Sequence, residues 1–122
     1  MSKQRRKGTL METRTVDYLR EAFEDDERTI DRAALHGSND VGDITGLFID
    51  GEKVVVEVKN CRKYEPKEWL KQAEAERGNA DAAYGIVVFH INGVGLDDMG
   101  EQGVLMKLRD FCKMRGGNVG ID

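Results

Sequence analysis

The stretch Asp43-Ile44-Thr45-Gly46-Leu47-Phe48-Ile49-Asp50-Gly51-Glu52-Lys53-Val54-Val55-Val56-Glu57-Val58-Lys59 decides how this chain is read. Two hydrophobic runs flank Asp50-Gly51, a pair suited to tight hairpin turns, which predicts antiparallel strands over Asp43 to Ile49 and Lys53 to Asn60. In the second strand the two-residue period puts Val54, Val56 and Val58 on one face and Glu57 and Lys59 on the other. Charges inside a valine run are costly to bury without partners, so that second face is either exposed or a site. Register then chooses their neighbours. A three-residue turn pairs Phe48 with Val54, Gly46 with Val56 and Ile44 with Val58, which sends the large apolar side chains to one core face. It also pairs Asp43 with Lys59 and Thr45 with Glu57, gathering Asp43, Glu57 and Lys59 on the other face. A strict two-residue turn would send Asp43 to the valine side, so the odd-length turn is expected, reached through a Gly-containing loop or a bulge.

Outward from the hairpin, Val16, Leu19, Ala22 and Phe23 recur at helical spacing and predict a helix from about Leu10 to Phe23. A short strand is expected within 28–34, followed by a loop at 36–42. After the hairpin, Pro66 suits a first helical turn, and good helix formers from Glu68 to Arg77 lead to Gly78 as the stop. Ala83 to Ile91 reads as a central strand buried on both faces. A loop over 92–103 has no strand-GxGxxG-helix context and is assigned no nucleotide. Val104 to Leu108 is expected to be a last strand and Asp110 to Met114 a short helix. Residues 1–122 thus read as a single domain with a basic N-terminal arm at about 1–8 and a loose tail at about 116–122.

Composition bounds the function. The 122 residues are 39% hydrophobic and 34% charged, enough for a core without disulfide or metal staples, which excludes a wholly disordered chain. Val54-Val55-Val56 and Ile86-Val87-Val88-Phe89 fall far short of a bilayer span. No apolar leader follows the basic start, so an unexported protein with Cys61 and Cys112 reduced is expected. A net charge of -4 argues against coating nucleic acid by bulk attraction. Basic ends, Lys3 to Lys7 and Lys107 to Arg115, still allow a polyanion to be held locally.

Two converging carboxylates make a hard-oxygen site that suits Mg²⁺, with Mn²⁺ able to substitute. Such an ion lowers the pKa of a bound water and stabilises charge on a phosphoryl centre, while a neighbouring lysine offsets negative charge. Hydrolysis of a phosphate ester is the chemistry implied. Asp43 followed by Glu57-Val58-Lys59 after a hairpin resembles the PD-(D/E)XK nuclease superfamily, with Gly42 standing where that motif has proline. The order of a helix opened by Met11-Glu12-Thr13-Arg14, a strand with Arg32, a Gly-Ser loop, the Asp hairpin and the Glu-x-Lys strand is similar to Holliday junction resolvases of archaea and phages. The likeness covers about 7–91.

The resemblance implies an α/β, restriction-endonuclease-like fold with a central mixed sheet flanked by helices. It implies a homodimeric endonuclease acting on DNA four-way junctions, working in the cytoplasm, or the host's if the chain is phage-encoded. Asp43 and Glu57 become main metal ligands, Glu12 a further ligand and Lys59 the catalytic lysine; Ser38 matches a loop serine that assists the phosphate chemistry. Rival readings are an endonuclease for duplex, nicked or damaged DNA, and a junction-binding module without catalysis. Arg5, Arg6, Lys7, Arg32, Arg62 and Lys63 are expected phosphate contacts because they flank the site. Glu65-Pro66-Lys67 repeats the Glu-x-Lys spacing at a helix start and serves as a decoy. Gln72 is either a site residue or an exposed helix residue; His36 and His90 are read as ordinary loop and strand-end residues, and Trp69 as a packing or dimer-interface residue.

Overall fold

The computed structural model describes residues 3–34 and 40–118, with side chains from Lys7 onward. Its elements are α1 (Lys3–Ala22), β1 (Asp31–Arg32), β2 (Ile44–Ile49), β3 (Glu52–Lys59), α2 (Pro66–Ala80), β4 (Tyr84–Phe89), a 3-10 turn (Met99–Glu101), β5 (Gly103–Leu105) and α3 (Leu108–Met114). The strands form one open sheet in the order β1-β2-β3-β4-β5. Among the described residues only β3 and β4 run parallel, and α2 is the crossover such a pair requires. The result is an α/β fold with a mixed sheet flanked by helices, compatible with the restriction-endonuclease-like arrangement.

The valine alternation in β3 divides the packing. Val54, Val56 and Val58 join Met11 and Val16 of α1, Ile44 and Leu47 of β2, and Ile86 and Val88 of β4 in the larger core. Trp69 and Ala73 of α2 cover Val87 on the opposite face of the sheet. This close seating depends on Gly85, where a Cβ would stand 2.6 Å from the Ala73 carbonyl oxygen. Glu57 pairs in register with Val87, so its side of the strand lies under α2 and is buried.

Four expectations of local structure are corrected. The hairpin turns through two residues, Asp50 and Gly51, and an extra residue is accommodated further down: Leu47 pairs with Val54 but Ile44 with Val56. This bulge at Thr45-Gly46 restores the parity that the short turn would have reversed. Leu47 therefore takes the core position expected of Phe48, which is 52% exposed. Gly46 makes the bulge possible, since it sits at φ +86° with the Thr29 carbonyl against its Cα. Second, α1 starts at Lys3, because Lys, Gln and Arg are good helix formers even without an apolar stripe. Third, α2 runs past Gly78 and stops at Asp81, whose left-handed backbone (φ 52°, ψ 47°) closes the helix. Fourth, the strands at 28–34 and 104–108 are shorter than expected, namely β1 and β5.

Candidate active site

β3 delivers Glu57 and Lys59 to the same face, and their side chains form an ion pair of 3.2 Å. Glu57 is 4% exposed. Its Oε2 accepts that lysine and also the Gln72 amide of α2, whose Nε2 stands at 2.8 Å, whereas Oε1 is buried with no donor. Gln72 therefore belongs to the site. The Asp43 amide donates to the Val56 carbonyl (2.9 Å), and its Oδ2 accepts from the Val58 amide (2.8 Å). Asp43 is thereby fixed at the base of the hairpin beside Glu57, two residues along β3 from where the three-residue turn would have put it and on the same face. Glu12, half-buried on α1, reaches the same region and pairs with Arg32 at 3.0 Å.

The electrostatics tie these carboxylates together. Burial pushes the Glu57 carboxyl above its ordinary range, and the Asp43 charge pushes it further, against Lys59 and a hydrogen bond from Glu76. Burial and Asp43 also raise Glu12, with Arg32 opposing. Asp43 thus stands between two acids and disfavours the charge of each.

Sequence reasoning missed Glu76. It lies on α2, is 1% exposed, and no donor from another kind of group reaches either of its oxygens. Burial, then the neighbouring Glu57 and Asp40 carboxylates, raise its pKa strongly. Only a carboxyl proton can join Glu76 to Glu57, so Glu76 holds the proton and Glu57 accepts it. Asp40 is docked on the same helix: its carbonyl oxygen accepts from Asn79 (2.8 Å) and its Oδ1 from the Gly42 amide (2.9 Å). A signal was available in the sequence. Trp69, Gln72, Ala73 and Glu76 follow the spacing of a buried helix stripe, and two of the four are polar.

No protein-family model, no curated protein and no solved structure matches this chain. The site is therefore argued from its own geometry. Among the described residues, no three acidic, histidine or cysteine side chains are gathered closely enough to enclose a metal ion. Magnesium does not need such a cage, because it keeps several waters and is commonly held by one or two carboxylates. The buried Oε1 of Glu57, which no N–H or hydroxyl donor reaches, and the mutual repulsion among Glu12, Asp43 and Glu57 fit a divalent cation.

The remaining candidates are dispersed. Arg32 is engaged by Glu12, and Lys63 stands 3.8 Å from Glu65 with both side chains largely exposed. Lys7 and Arg62 line one cleft with Asn60 and His90. Ser38 and His36, and the side chains of Arg5 and Arg6, lie outside the described residues. Trp69 is buried against Tyr64 and Phe89, with ring centroids 5.9 and 5.7 Å away, and so packs the fold. Among the described residues, no helix is long and apolar enough to cross a membrane.

Proposed function

We propose that this chain is a magnesium-dependent DNA endonuclease whose substrate is a four-way junction. The observation that carries the reading is Glu57, a carboxylate buried in a strand with one oxygen held by Lys59 and Gln72, the other reached by no N–H or hydroxyl donor, and the Asp43 and Glu76 acids beside it. Asp43 and Glu57 would hold the magnesium or manganese ion, with Glu12 at the margin. When bound, the ion supplies charge stabilisation at the phosphoryl centre and a lower pKa for water.

The chain's own groups set the geometry. Gln72 and Lys59 fix the Glu57 carboxylate from two directions, and the hairpin bulge presents Asp43 to it. The Lys59 ammonium can offset negative charge developing on a phosphodiester attacked in line by water. Arg32 restrains Glu12. A four-way junction has two-fold symmetry and needs paired cuts, which a homodimer with two such sites would make. DNA as substrate assigns the enzyme to the cytoplasm, the host's if the chain is phage-encoded.

The test is cleavage of a labelled four-way junction beside a linear duplex of matched sequence, each with Mg²⁺ and with EDTA. Symmetric cuts confined to the junction, lost in EDTA and lost in Glu57→Ala, are expected. A Glu57→Ala protein cutting at the parental rate sinks the catalytic assignment, and equal cutting of duplex and junction overturns the substrate. Metal-independent junction binding without any cutting would make the chain a binding module.

A further inference from the structure

Beyond Lys59 the chain leaves β3 at Asn60, and beyond Phe89 it leaves the parallel strand β4 at His90. Between these two strand ends lies a cleft of about 550 Å³ lined by Lys7, Asn60, Arg62, His90, Asn92 and Gly93. The carboxyl ends of adjacent parallel strands are where open α/β sheets bind ligands. Of the six lining residues two, Lys7 and Arg62, carry positive charge, two are amides and none is acidic, in a chain whose net charge is -4. Neither Lys7 nor Arg62 has a carboxylate partner among the described residues, unlike Arg14, Arg20, Arg32 and Lys59.

The walls of this cleft are tied together. Asn92 Nδ2 donates to the Arg62 carbonyl (3.0 Å), the Asn92 amide donates to the Tyr64 hydroxyl (2.8 Å), and that hydroxyl donates to the His90 carbonyl (3.2 Å). Asn60 Nδ2 reaches the Lys7 carbonyl at 3.4 Å, joining α1 to the same frame. His90 Nε2 meets the Val94 carbonyl at 2.6 Å; a carbonyl only accepts, so Nε2 is the donor and Nδ1 is left for another partner. Tyr64 is itself wedged against Trp69 and Phe89. Two loops that would otherwise move are held in one shape, which lowers the entropy cost of binding.

We propose that this cleft seats a nucleic-acid backbone phosphate neighbouring the one that is cut, with Lys7 and Arg62 supplying charge and the side-chain amides of Asn60 and Asn92 supplying directional contacts. The inference rests on the endonuclease reading, which puts the scissile phosphate at Lys59. Asn60 directly follows Lys59 at the end of β3, and His90 directly follows the end of the adjacent parallel strand β4, about 4.8 Å away, so the cleft adjoins the place given to the scissile phosphate. A strand laid along the ends of β3 and β4 therefore brings its next phosphate to the cleft as the first reaches Lys59.

Binding in EDTA separates this claim from catalysis. The wild-type chain, Lys7→Gln, Arg62→Gln and the double variant are titrated with an uncut four-way junction by fluorescence anisotropy at several salt concentrations, after thermal melts show that all are folded. Each single variant is expected to lower the slope of log affinity against log salt by about 1. In a scan of neutral methylphosphonates, one position is expected to weaken the wild type about tenfold or more and the double variant not at all. Unchanged slopes, or the same methylphosphonate penalty in wild type and double variant, overturn the proposal. Displacement of the junction by millimolar inorganic phosphate at matched ionic strength would assign the cleft to free phosphate and overturn it as well. Cleavage in Mg²⁺ is scored separately: a chain that binds this way without cutting loses the endonuclease reading alone, and one that cuts with cleft-independent binding loses this inference alone.

Discussion

Replacing Glu76 by glutamine removes a buried acid while nearly preserving its shape, and the consequence should be read in how stability changes with pH. In the unfolded chain Glu76 returns to an ordinary carboxyl, near 4.5, whereas burial and the Glu57 and Asp40 carboxylates raise it in the folded state. Above the ordinary value the unfolded chain has lost a proton that the folded chain keeps, so stability falls as pH rises. The slope is about 1.4 kcal/mol per pH unit for each proton held. One proton held between Glu76 and Glu57 from pH 6 to pH 8 thus corresponds to a loss of about 3 kcal/mol, or roughly 10 °C in Tm for a chain of this size. Glutamine has no such proton to lose, and its amide can donate to the Glu57 oxygen that lacks a donor. Circular-dichroism melts in EDTA at pH 6, 7 and 8 should show the variant losing less than half of what the wild type loses, and melting higher than wild type at pH 8. Parallel slopes for the two proteins would refute this account of the Glu57 and Glu76 pair.

Two further outcomes test the carboxylates and the hairpin. Mg²⁺ should raise Tm more at pH 8 than at pH 6, because it competes with the proton for Glu57, whose carboxyl is pushed up to about 7 by burial and Asp43; at one hundred times Kd the gain is about 2.7 kcal/mol. Asp43→Asn should abolish it, and an equal gain in that variant would remove Asp43 from the metal site. Gly46→Ala should destabilise the chain by at least about 2 kcal/mol in urea titration, since alanine meets both a positive φ and the Thr29 carbonyl. A change below about 0.5 kcal/mol would show that the bulge tolerates a side chain.

Much of the site was legible because its signals are local. Asp50-Gly51 marks the hairpin and alternation in β3 separates Glu57 and Lys59 from the valines, both within a dozen residues. The register was not legible for a physical reason. The bulge at Gly46 is formed against the Thr29 carbonyl, a contact made only when a segment seventeen residues earlier packs across the strand. Phe48 was misassigned for a nearer reason, since a turn one residue shorter than expected exchanges the fates of Leu47 and Phe48 before the bulge is reached. Gln72 and Glu76 were hidden differently: polar residues on a charged helix read as solvated until the helix is known to lie over Glu57. The start of α1 escaped because an amphipathic stripe locates only the part of a helix that packs.

The bulge at Thr45-Gly46 also separates the hairpin into two parts that can be altered independently. Below it, Asp43 and Ile44 are locked to Val56 and Val58 by backbone and side-chain bonds. Above it, Phe48, Asp50 and Gly51 are exposed, and nothing stands within 4 Å of where a Gly51 side chain would begin. A fluorophore attachment point or short affinity peptide engineered into the tip would have its slack absorbed before it reached the carboxylates, making the turn a handle for observing the protein without disturbing the chemistry beneath it.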